Sequence, residues 1–233
     1  MKKCVALFII LTLIGCVKEF DSGTLERKLE GESLQRHETD IDQVVEPKPR
    51  LDFPIKIGVY FSLETPRYQE HPQKQIWDAE DKRDVLSAAD SLKNDGIISG
   101  MYEMPDLLVP RPDFNTLMQA AAQQGTDAIL IIKGVSEVNS YFDPLSILYL
   151  TIVGMWIVPG SHWDALFEIH GDLWNVENVY LHLTVKTMGV GKIKRPIART
   201  GDANDSAVKL AKNDALINFR KELIQRIKSL KGT

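Results

Sequence analysis

Cysteine is nearly absent from this 233-residue chain: it has two, Cys4 and Cys16, both close to its start. Any folded body downstream therefore has no disulfide, no cysteine nucleophile and no cysteine-ligated metal. A domain of this length buries a sufficient core without such staples. Catalytic signatures are missing too. There is no HExxH pair and no complete GxxxxGK[ST] loop: Gly189 to Lys192 reads GVGK, but Ile193 stands where a magnesium-binding Ser or Thr belongs. Ser161 and His162 follow Pro159-Gly160 without a GxSxG frame. Positive charge is not in excess. With 28 basic against 32 acidic side chains, a balance that turns more acidic once Lys2 and Lys3 are removed, the chain has no global attraction for nucleic acid.

The start of the chain carries a strong signal. Lys2 and Lys3 precede the apolar run Val5 to Ile14, which is too short for the roughly 20 residues a spanning helix needs. A basic start, a short apolar stretch and small residues at its end mark an export signal. The run closes on Leu13-Ile14-Gly15-Cys16 and turns polar. This resembles the lipobox of bacterial lipoproteins, which implies cleavage before Cys16 and a diacylglycerol on its sulfur. Two acyl chains suffice for stable anchoring. Val17, where an aspartate would retain enteric lipoproteins in the inner membrane, implies an outer-membrane location facing the periplasm. The expected organisation is a signal peptide over 1–15, a lipidated cysteine and polar tether over 16–50, and a periplasmic domain over 51–233. As a coil the tether would reach roughly 30–35 Å.

Within the body, FPIKIGVYFS alternates with Ile55, Ile57, Val59 and Phe61 on one side, a strand pattern. Pro- and Gln-bearing loops are expected before Asp78 and over 106–112. Asp78 to Lys93 predicts one helix with Val85, Ala88, Ala89 and Leu92 inward, ended at Asn94-Asp95-Gly96. IISGMYEM predicts a short strand, and Asp113 caps a helix that stops at Gly125. DAILIIKGVSEV is apolar on both faces, hence central in a sheet. The uncharged stretch Leu145 to Val158 predicts a buried element, with membrane contact as the competing reading.

ALFEIHGDLW and VYLHLTVKTM, joined by NVEN, predict a hairpin with Phe167, Ile169, Gly171 and Leu173 inward and a wet face carrying Glu168, His170 and Asp172. GVGKIKRPIARTGD reads as loop. Asn204 to Leu230 predicts a long amphipathic helix with Val208, Ala211, Ala215, Phe219, Leu223, Ile227 and Leu230 on or near one stripe. Strands mixed with packed helices, without repeats, give one α/β or α+β domain with a mixed sheet.

His162, His170 and His182, with Asp164, Glu168 or Asp172, are the candidates for a metal site, although their spacing matches no common one. The leading expectation is instead a non-enzymatic lipoprotein. It needs no cofactor, metal or nucleic acid, and its partners are the membrane through Cys16 and an envelope protein or a second copy of itself. The alternatives are a metal-dependent envelope hydrolase built on the three histidines, or an oligomer inserting 145–158 into a bilayer.

The chain is similar to the uncharacterised rhombotarget lipoprotein family over roughly residues 55 to 190 and the lipobox, on Tyr149, Thr151, Ile152, Val153 and Gly154 (a Y-x-T-I-V-G segment) and the Pro159-Gly160 turn. That resemblance implies an envelope lipoprotein and carries over no catalytic residue. More loosely, the order of elements resembles the α/β domains of the curli-secretion lipoprotein and of the lipoprotein activators of peptidoglycan synthases, which implies work by assembly or by touching partners.

Overall fold

The computed structural model describes residues 49–62, 77–104 and 113–231. Cys16, the leader, the tether up to residue 48 and the loops expected over 63–76 and 106–112 lie outside the described residues.

Five strands form one sheet in the order β2-β1-β3-β4-β5. Strand β1 (Ile55–Phe61) pairs in parallel with β2 (Ile98–Glu103) and β3 (Ala128–Phe142). Strands β4 (Ser161–Asn175) and β5 (Leu181–Arg195) continue it antiparallel, so the sheet is mixed and β3 is central, as its two apolar faces predict.

Helices cover both faces of the sheet at β1 and β3. On one side, α1 (Ala79–Leu86), α2 (Ala88–Asn94) and α5 (Ala203–Leu230) bury Ile55, Ile57, Val59 and Phe61 of β1 and Leu130 and Ile132 of β3. On the other, α3 (Phe114–Gln123) brings Leu117 and Ala121 against Tyr60, Ile129 and Ile131. A short helix α4 (Ile152–Ile157) lies between β3 and β4.

The local chemistry explains these boundaries. Asp78 caps α1 by accepting from the amides of Glu80 and Asp81, while Asp81 returns a bond to the Asp78 amide. The single helix predicted over Asp78–Lys93 is in fact two. Ser87 Oγ donates to the Asp84 carbonyl at 2.6 Å, an alternative to the helical ladder that breaks it there. Asp113 accepts from the Thr116 amide to start α3, and Gly96 and Gly125 take left-handed φ of 62° and 61° to end α2 and α3.

The stretch GVGKIKR, expected as loop, is the second half of β5. Its glycines mark close packing, not a turn. A Cβ on Gly189 would stand 2.1 Å from the Ala211 carbonyl oxygen, and one on Gly191 2.0 Å from that of Ala207. Bare backbone on the strand lets the alanine stripe of α5 (Ala203, Ala207, Ala211, Ala215) lie directly on the sheet.

Candidate functional site

The stretch 145–158 corrects its expectation. It forms a 3-10 segment (Pro144–Leu150) followed by α4, and it is not buried. Leu150 is 88% exposed, Ile157 69% and Val153 66%; Leu145, Leu148 and Trp156 are about half exposed, and Phe142 before them is exposed as well. Strands β3 to β5 run well past β1, and this segment joins the far ends of β3 and β4. An uncharged sequence fits a dry environment, but hydropathy does not say whether the dryness comes from the protein's own interior.

The apolar corner stands on a polar pedestal. Asp143 heads the 3-10 turn, accepting from the Leu145 amide at 3.0 Å and from Lys194 Nζ at 2.8 Å, with His162 Nε2 3.0 Å away. Hydrogen bonds from Lys194 and His162 hold its carboxyl down at about 2, against an ordinary 3.8. Tyr141 stacks on His162 with ring centroids 5.0 Å apart and donates its hydroxyl to Asp164. Tyr149 Oη accepts from the Gly160 amide at 2.7 Å and bonds Ser161 Oγ at 3.1 Å. Thr151 Oγ1 donates to the Leu148 carbonyl and accepts from the Gly154 amide, which starts α4. A Cβ on Gly154 would lie 1.9 Å from the Leu148 oxygen, so the tight turn requires glycine there. The Y-x-T-I-V-G residues thus build the corner: tyrosine ties it down, threonine caps it and glycine lets it fold.

The three histidines are not brought together. His162 pairs across the hairpin with Lys194 and His170 with Lys186, and eight residues of strand separate these two by roughly 26 Å. His182 lies near the turn, edge-on to Tyr180. Among the described residues no group of His, Cys, Asp and Glu is placed to hold a metal ion. Each neighbouring carboxylate has another occupation. Burial pushes the Asp172 carboxyl up, but hydrogen bonds from His170 and from Thr184 (2.6 Å) outweigh it and leave the carboxyl below its ordinary value. Glu168, expected on a wet face, is fully buried, with Lys186 Nζ 3.3 Å away and Val135 and Met188 as its cross-strand neighbours.

A second surface runs along β5, an edge strand of the sheet. Met188 and Val190 are exposed on its outer face, and Leu210 and Ile217 are exposed on α5, which lies over it. Among the described residues no helix is long and apolar enough to cross a membrane. Fold and surface together define a mixed α/β sheet domain that presents an apolar corner and a half-apolar sheet edge.

No protein-family model matches the chain, and no curated protein does. Solved structures resemble it weakly. A PelC dodecamer from Paraburkholderia phytofirmans aligns over 77% of this chain and 91% of its own at 14% identity and a TM-score of 0.34. Lipoprotein GNA1162 from Neisseria meningitidis aligns over 60% and 84% at 15% identity and a TM-score of 0.32. A neuraminyllactose-binding hemagglutinin homolog from Helicobacter pylori aligns over 82% and 97% at 8% identity and a TM-score of 0.40. Of these three, GNA1162 is a lipoprotein, and at such scores the reading of function rests on this chain's own residues.

Proposed function

We propose that this chain is a non-enzymatic lipoprotein of the cell envelope: acylated at Cys16, tethered through residues 17–50, held at the outer membrane facing the periplasm, and working by contact. Kinship with the rhombotarget lipoproteins is part of the same reading. The observation that carries it is a surface: Pro144 to Ser161, without one charged residue, keeps Leu145, Leu148, Leu150, Val153, Trp156 and Ile157 out of the core on a pedestal of hydrogen bonds. Holding so many apolar groups in water opposes the hydrophobic effect unless something covers them. The edge of β5 supplies the protein-facing side, because an edge strand with apolar flanks is a template for a further strand or a partner; of its backbone, the Val190 amide is already taken by Asp214 of α5. Lys186, Lys192 and Lys194 along it discourage indiscriminate pairing.

The test is photo-crosslinking in intact cells from residues 190 and 210, with exposed Lys93 on α2 as the reference position. The reading expects discrete adducts at the first two positions, either to an envelope protein or to a second copy of the chain. Adducts at none of them, or equally at residue 93, would contradict it.

A further inference from the structure

The apolar corner is the feature that the fold least explains, and we propose that it seats itself in the surface of the lipid bilayer to which Cys16 is anchored. This rests on the anchoring read above and names what the corner touches.

Shape separates a bilayer from a protein partner. The most exposed residues, Leu150, Val153 and Ile157, stand on two consecutive short helical segments with about two thirds or more of their surface open, unlike side chains that line a groove gripping a helix or strand. A second copy would need a dry recess to receive it. The cleft beside Trp77 is walled by Lys82, Arg83 and Glu103, and β5 presents lysines. Neither offers one.

Part of the corner's hydrogen bonding is internal, which limits the unmet backbone groups that are costly in hydrocarbon. The amides of Leu145, Ser146, Thr151, Gly154 and Met155 all find acceptors within the corner itself. Its polar groups gather at the base. Lys192 and Arg199 are exposed there, with the turn Ile197–Arg199 packed beside α4, at the level where headgroup phosphates would lie. Trp156 is of the residue type that favours such interfaces. Asp143 brings no free negative charge, since Lys194 and His162 already face it.

Reach is sufficient. The tether joins the body at the β1 end of the sheet, and the corner lies at the far end of β3, about 45 Å away at ~3.3 Å per residue. Residues 17–48 span up to roughly 110 Å when extended, so the anchored domain can lie over and bring the corner to the membrane.

The experiment uses the mature lipoprotein in vesicles of phosphatidylethanolamine and phosphatidylglycerol. Single cysteines at Leu150→Cys, Val153→Cys and, as reference, Lys93→Cys carry an environment-sensitive fluorophore, and nitroxides on the lipid acyl chains act as quenchers. All three positions are exposed, so the labels leave the core untouched. Blue-shifted emission that the nitroxides quench at 150 and 153, but not at 93, supports the proposal. Unquenched labels on a protein whose Cys16 is acylated overturn it and leave the anchor standing. A blue shift without quenching, lost when the protein is diluted in the vesicle, overturns it in favour of contact between copies. Quenching on a protein whose Cys16 carries no lipid supports insertion and removes the anchor instead.

Discussion

Lys212 of α5 and Asp81 of α1 form an ion pair at 2.5 Å between two elements 131 residues apart in the chain, and both are buried. Asp81 also accepts from the Asp78 amide, so one carboxylate both closes the cap of α1 and docks that helix against the last one. A buried charge loses several kcal/mol of hydration, and its partner offsets this only while both are present.

Removing Asp81 is therefore predicted to be severe. In Asp81→Ala, Lys212 stays enclosed without its main partner and the cap opens, for an expected loss of about 3–5 kcal/mol. Lys212→Met should cost clearly less, because Asp81 keeps its bond from the Asp78 amide. Urea denaturation of the two variants checks the order, and equal losses would contradict it.

Glycines under α5 should not tolerate a methyl group. Gly191→Ala sets a Cβ against the Ala207 carbonyl, backbone that yields only if the helix moves, with an expected cost of ~1–3 kcal/mol or more. Gly201→Ala, with nothing within 4 Å, should stay within about 0.5 kcal/mol of the parent. Thermal melts of both variants decide it.

Val179 in the hairpin turn has φ of 58°, a left-handed conformation that is costly for a β-branched residue. Asparagine accepts it more readily, so Val179→Asn should raise stability by up to ~1 kcal/mol. The side chain is exposed, which leaves no packing loss to mask the gain. A lower melting temperature would count against the turn geometry.

The pedestal of the corner should respond to acid. Because the Asp143 carboxyl is held at about 2, below its ordinary 3.8, its contribution is fully present above the ordinary value and is lost as pH falls from about 4 through 2. The Leu145 amide, which donates to it, is the local reporter. Its NMR shift should move in that acid window. Lys194→Ala should raise the midpoint and Asp143→Asn should abolish it; a midpoint indifferent to Lys194 would refute the arrangement.

Much of the fold could be read in advance where one residue type has one use. Alternating Ile, Val and Phe in β1, and the Ala-Phe-Leu stripe of α5, have a single way to become dry. Asp113 before Phe114 and Gly125 after Gln124 mark helix ends by their own chemistry. Misreadings arose where one composition serves two purposes. Gly189 and Gly191 punctuate loops and also admit a helix onto a strand, and only tertiary contact tells these apart. Uncharged Leu145 to Val158 suits a core and an outer contact surface equally. Whether His170 meets His182 depends on strand register, where a slip of one residue reverses the face. The role of Asp143, by contrast, had a visible signal: Asp-Pro at 143–144 is cap chemistry followed by a residue suited to a first turn.

Mass spectrometry of the protein extracted from membranes tests the central claim most directly. The account predicts a mature chain that begins at Cys16 and carries diacylglycerol on that sulfur, and a Cys16→Ser chain that is neither cleaved nor labelled by fatty acid. An N-terminus elsewhere, or an unmodified Cys16 in membrane-bound protein, would contradict it.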